Sequence, residues 1–238
     1  MPSSKLTGSL LVAGSVAVLI PYSILTKTFD YPDILREDTS VLLTKFHDGG
    51  SGLILTWFAF ALSGLPLIPA FILLGRILRS RSSLVRVATT FGVVGLVVQM
   101  VGLLRWTFVV PILSDIFMNT NDTAMKSAVV VTFKAVHQYG GVVLGEHIGQ
   151  LFTIFWTVLI SMTFAKLKSM PKWIVWSGYV TAFIYLMAQA ELLATVIHGF
   201  PYWSLAGVIG STLWIAWMIV IGIRLLNNPI SSSRRDPA

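Results

Sequence analysis

The sequence has no cysteine in its 238 residues. That excludes disulfides, thiolate metal sites, haem attachment through cysteine and cysteine nucleophiles. Charge is also scarce, at 11% of residues, against about a quarter in soluble domains. Acidic residues are the scarcer sign, 10 against 17 basic ones. So little charge cannot cover a water-facing surface, and a soluble globular domain is excluded. No HxxxH, HExxH or ExxH spacing occurs, and there is no low-complexity tract or long internal repeat.

What the chain has instead is apolar length. Hydrophobic residues make up 55% of it, in runs of roughly 18 residues or more, each long enough as a helix to cross a hydrocarbon core about 30 Å thick. Six spans are expected, at about 8–25, 52–75, 88–110, 142–165, 173–197 and 203–226, giving one all-α polytopic transmembrane bundle over residues 1–238. The first is read as a retained helix, because its apolar stretch exceeds a signal-peptide core and Thr26-Lys27-Thr28 offers no small-x-small cleavage pattern. Residues 26–51 form a long outer loop whose middle, Asp33 to Phe46, suits a short interfacial helix. Pro66 and Pro69 predict a bend in the second span, and Gly140-Gly141 predicts a separation between an interfacial helix and the fourth span.

Basic residues orient the bundle. With a cytoplasmic N-terminus, the inner side carries Lys5, Arg76, Arg79, Arg81, Arg86, Lys166, Lys168, Lys172, Arg224, Arg234 and Arg235, and the outer side Lys27, Arg36, Lys45, Lys126 and Lys134. This bias obeys the positive-inside rule, so both termini are expected in the cytoplasm. The same dispersal accounts for the net charge of +7 without a nucleic-acid partner, which would call for a clustered basic patch. The partner that composition implies is the lipid bilayer. Asn121-Asp122-Thr123 on the outer side matches a glycosylation sequon, a pattern without meaning in a bacterial host.

Ionisable groups inside the spans carry the functional signal, because a charge at the bilayer centre costs at least about 2.5–3.5 kcal/mol. They are Arg105, Glu146, His147, Glu191 and His198, accompanied by Gln99, Gln150 and Gln189, and the topology puts every charged one in the outer half. Glu191, Thr195 and His198 fall at i, i+4 and i+7, hence on one helical face. Glu146, Gln150 and Thr153 make a second stripe, and Gln99, Gly102, Arg105 and Trp106 a third. Beside the second, Gly141, Gly145 and Gly149 repeat at small-xxx-small spacing, which suits close approach of a partner helix. Arg105 is the natural counter-ion of Glu146 or Glu191.

These residues admit several readings. They form a structural ion network, or an outward-facing ligand site of Arg105, Glu146, His147, Gln150, Glu191 and His198, in which Glu146 or Glu191 would be the catalytic acid or base. A metal site of His147, His198, Glu146 and Glu191 suits the ligand chemistry of zinc, iron or manganese, and a haem between His147 and His198 is the remaining version. The cofactor, if any, is left unspecified. His137 and Lys134 read as surface or headgroup contacts, His47 as part of a loop turn, and the tryptophans at 57, 106, 173, 176, 203, 214 and 217 as an aromatic belt near span ends.

At Asp30-Tyr31-Pro32-Asp33-Ile34-Leu35-Arg36, at Leu104-Arg105-Trp106 to Pro111 and at Gly145-Glu146-His147-Ile148-Gly149, the chain resembles a family of bacterial membrane proteins catalogued as domain of unknown function 4386. The resemblance covers most of the chain. It implies a six-helix bacterial membrane protein and no particular reaction, but its motif residues coincide with those singled out by burial cost. Three function classes follow: a membrane protein with an intramembrane site for a small ligand or metal, a proton-coupled small-molecule transporter, and an accessory or assembly subunit relying on the glycine repeat.

Overall fold

The computed structural model describes residues 2–79 and 84–230. Of the inner basic residues counted above, Arg81, Arg234 and Arg235 lie outside the described residues. The described chain is an all-α bundle: α1 (Pro2–Thr28), a 3-10 turn (Asp33–Arg36), α2 (Thr39–Asp48), α3 (Gly50–Leu62), α4 (Leu67–Arg79), α5 (Leu84–Phe108), α6 (Val110–Asn119), α7 (Thr123–Val136), a π-helical segment (His137–Ile148), α8 (Gly149–Leu167), α9 (Lys172–Met187), α10 (Gln189–Ala194) and α11 (Ala206–Asn227). No strand occurs among the described residues.

Five helical stretches among the described residues are long and apolar enough to cross a membrane: Ser4–Thr28, Gly50–Leu78, Leu84–Asn119, Thr123–Leu167 and Ala206–Asn227. The chain is a multi-pass membrane protein. The expected span at 173–197 is not a single helix. It is divided at Ala188 into α9, of 16 residues, and α10, of 6. Large apolar side chains face outward, among them Leu55, Phe108, Val131 and Phe183, each more than 60% exposed, as lipid contact requires.

Sequence signals explain most of the boundaries. Pro66 and Pro69 do more than bend the second span: α3 stops at Leu62, and α4 resumes at Leu67 with Pro69 in its first turn, where a missing N–H costs nothing. Pro111 opens α6 in the same way. The Asp122 carboxylate accepts from the Ala124 N–H at 2.8 Å and so caps α7. At the glycine pair, by contrast, the expected break is absent. The helix runs on from Thr123 to Leu167, with the pair inside its π-helical stretch.

The chain forms two compact units. The first comprises the described parts of Met1–Ser15, Leu65–Leu96 and Gln150–Ala238. Leu11, Phe71, Leu74, Trp156, Ile160, Phe164, Trp217 and Ile221 anchor its core. Phe71 stacks on Trp156 at 3.9 Å between ring centroids, and α1 meets α11 so closely that a Cβ on Gly8 would lie 2.6 Å from the Gly222 carbonyl oxygen. The second unit comprises Val16–Gly64 and Val97–Gly149. Its core is aromatic: Phe29, Phe46, Trp57, Trp106 and Phe133, closed by Leu25, Leu43 and Ile34.

The tryptophans therefore divide. Trp173, Trp176 and Trp203 are exposed, as a belt requires, but Trp57, Trp106, Trp214 and Trp217 are buried in the two cores. For these four the belt reading is corrected, because position along a span says nothing about which face of the helix meets lipid.

Candidate functional site

Arg105 lies near the end of α5, in the second unit, and is only 8% exposed. A guanidinium has five N–H donors and no acceptor. One terminal nitrogen donates to the Gly102 carbonyl oxygen at 2.5 Å, and the other reaches His137 Nδ1 at 3.4 Å. Since arginine only donates, Nδ1 must accept, so a neutral His137 ring carries its proton on Nε2. The Arg105 Nε is buried with no hydrogen-bond partner. The Glu146 carboxylate and the Tyr31 phenol are both near enough to interact electrostatically with the guanidinium.

Glycine makes the space. A Cβ on Gly141 would stand 2.5 Å from an Arg105 terminal nitrogen, and one on Gly102 would stand 2.7 Å from both the Gly145 Cα and the Gly140 carbonyl oxygen. Two positions of the glycine repeat thus admit this chain's own Arg105 side chain and α5 backbone. Gln99 adds a tie, donating to the Gly149 carbonyl oxygen at 3.1 Å where the π-helix returns to α-helix. π-Helical geometry is rare, favours functional sites and usually lasts a single turn. Here it spans 12 residues, including His137, Glu146 and His147.

An aromatic shell surrounds the guanidinium. Its Cζ is 5.1 Å from the Trp106 ring centroid. Trp106 stacks on Trp57 at 4.6 Å, Tyr31 meets Trp57 edge-on at 5.1 Å, and His137 stacks on Phe133 at 5.5 Å. The indole N–H groups of Trp57 and Trp106 are, like Arg105 Nε, buried without an acceptor. A buried unsatisfied donor costs about 1–3 kcal/mol. Two such indoles in the aromatic cluster beside Arg105, together with the cation's own Nε and charge, make a small region that chemically favours an acceptor-rich or anionic group.

The expected site residues are shared between the two units. Arg105, Glu146 and His147 belong to the second unit, with Glu146 and His147 half-buried, whereas Gln150, Glu191 and His198 belong to the first. There Gln150 accepts a hydrogen bond from the buried Gln189 amide at 2.8 Å. The Glu191, Thr195, His198 stripe is not formed: α10 ends at Ala194, and His198 sits in an exposed turn. The expected metal set of His147, His198, Glu146 and Glu191 includes residues of both units, and among the described residues no group of three or more His, Asp or Glu is arranged to hold a metal ion.

Conversely, His137, Tyr31, Trp57 and Trp106 were not among the expected site residues. His137 had a usable signal, since it stands four residues from both Phe133 and Gly141 and so shares a helical face with a large aromatic and a small gap. Tyr31 belongs to the Asp30–Arg36 run, one of three distinctive stretches, with Leu104–Pro111 and Gly145–Gly149. All three fall within the second unit, and each contributes a group near Arg105.

A family model described as Domain of unknown function (DUF4386) matches residues 6–222. The chain belongs to DUF4386. No curated protein and no solved structure matches it. For this DUF4386 member the site must therefore be read from its own chemistry.

Proposed function

We propose that this protein binds a small ligand bearing acceptor oxygens, a carboxylate or phosphate, on the Arg105 guanidinium, with the Trp57 and Trp106 indoles as flanking donors and Glu146, His137 and Tyr31 setting its orientation. One observation carries the reading: a buried cation whose own Nε has no acceptor shares an aromatic cluster with two buried indole donors that have none either. A purely structural network would be expected to spend those donors on the chain's own carbonyls and carboxylates. If the bound ligand reacts, Glu146 is the candidate acid or base.

Thermal unfolding of the purified protein in detergent tests this, with small carboxylates and phosphates each added alone. At least one should raise the melting temperature of the wild-type chain and leave Arg105→Gln unmoved, while Arg105→Gln without additive melts close to wild type. If no additive acts, Arg105→Gln loses several kcal/mol and the double change Arg105→Gln with Glu146→Gln restores much of it, the cluster is an ion network and the ligand reading fails.

A carrier is the second reading. Its support is the pair of interruptions, Leu62 to Leu67 and Met187 to Gln189, since broken spans in transporters expose helix ends to substrate. Uptake into proteoliposomes that survives both Arg105→Gln and Glu191→Gln would remove it. The assembly-subunit reading has less support, because Gly141 and Gly145 already face Arg105 and Gly102.

The ligand reading has an outward-facing site in a bacterial inner membrane, with six crossings and both termini cytoplasmic; α9 together with α10 makes the fifth crossing and α11 the sixth. The cysteine-free background permits a clean test by single cysteines at Ser82, Asn121 and Ser232. An impermeant thiol reagent on intact cells should label position 121 alone. Labelling at 232 would reduce the crossings to five and place the C-terminus outside.

A further inference from the structure

We infer that the α8–α9 connection is a binding site for the phosphate headgroup of an anionic phospholipid. A cavity of about 550 Å³ opens there, within the first unit, lined by Phe164, Lys168, Pro171, Lys172, Trp176 and Tyr179 among others. Its two charged lining residues are both lysines, and no carboxylate lines it. Its floor is apolar, with Phe164, Met170 and Val175 buried. At the rim Trp176 is 66% exposed and meets Tyr179 edge-on at 5.8 Å. Paired cations over an apolar floor, beside aromatic rings of the kind that settle at the membrane–water boundary, match a phosphodiester with acyl chains beneath it.

The backbone supplies an independent reason. The Ser169 N–H donates to the Phe164 carbonyl and the Lys168 N–H to the Ala165 carbonyl, each at 3.2 Å, the two bonds of a Schellman C-cap. The residue at the left-handed position of that cap is usually glycine. Here it is Lys168, at φ 49°. A lysine is disfavoured in that conformation, and its presence puts a second cation in the cavity lining with Lys172 at the start of α9. Lys166 is a further cation in the last turn of α8.

Lys168→Gly is therefore an unusually clean variant, since glycine relieves the backbone while removing the charge. Full-length protein in an uncharged detergent would be melted with phosphatidylglycerol, with phosphatidylcholine and with inorganic phosphate, each alone. Phosphatidylglycerol should raise the melting temperature and the other two should not. Lys168→Gly and Lys172→Gln should each weaken the phosphatidylglycerol effect about fivefold in apparent affinity, with Lys168→Gly melting at or above wild type when no lipid is added. Equal stabilisation by phosphatidylcholine, an equal effect of inorganic phosphate alone, or variants that respond to phosphatidylglycerol like wild type would each overturn the inference.

Discussion

The two units bury tryptophan in opposite ways. In the first, the Trp214 indole donates to the Thr157 hydroxyl at 3.0 Å and the Trp217 indole to the Ile174 carbonyl oxygen at 2.8 Å. In the second, neither Trp57 nor Trp106 has an acceptor, although both are fully buried. The orphan polar atoms of the first unit are hydroxyls of Ser15, Ser161 and Ser169. Those of the second include two indoles and a guanidinium nitrogen in the same aromatic cluster. Both units have large aromatic cores, so what separates them is hydrogen bonding. In one the Trp214 and Trp217 indoles are spent on its own fold, while in the other the Trp57 and Trp106 indoles are left open in a cluster with a charge. In lipid, where no water can enter to satisfy such groups, that difference is what the proposed ligand site rests on.

The largest expected effect strikes the backbone contact that gives the second unit its geometry. Gly102→Leu would drive a side chain into the Gly145 Cα and Gly140 carbonyl, atoms that cannot swing aside. It should lose about 3 kcal/mol, the upper end for overpacking, in chemical denaturation followed by tryptophan fluorescence. The comparison is sharpened by replacing one tryptophan in each unit with phenylalanine. Trp217→Phe removes the indole hydrogen bond to the Ile174 carbonyl, which keeps the Ser177 hydroxyl as a donor, and should cost about 1 kcal/mol more than Trp57→Phe, which removes a donor that had no partner. Equal losses would break the contrast. The smallest effect is expected at His137→Phe, which keeps the stack on Phe133 but drops the contact with Arg105. Stability should change by less than about 1 kcal/mol, as a 3.4 Å contact suggests, while the ligand-induced rise in melting temperature shrinks.

Much of this was legible in the sequence because lipid penalises charge so heavily. Arg105 and Glu146 stood out on that ground alone, and the all-α membrane character followed from apolar length. His137, Trp57 and Trp106 did not stand out, because a histidine or tryptophan near a span end is cheap in either setting and burial depends on which face the helix turns inward. The π-helical stretch was invisible to a reading that assumed a 3.6-residue period throughout. The break after Met187 lacks a proline or glycine to announce it. The Glu191 to His198 stripe failed at Thr195, six residues after α10 opens at Gln189, with Gly199 too far along to mark the end.

The central claim is that the second unit's donors are open and wait for acceptor oxygens. It is tested most directly by recording the indole N–H resonances of nitrogen-labelled protein in detergent micelles, without additive and with the carboxylate or phosphate that stabilises the fold best. Without additive, Trp57 and Trp106 should show the upfield shifts of indoles lacking an acceptor, and Trp214 and Trp217 the downfield shifts of bonded ones. On addition the first pair should move downfield, the second should stay, and Arg105→Gln should abolish the movement. Four indoles that start alike, or a Trp57 and Trp106 pair that does not respond to any additive, would contradict the account.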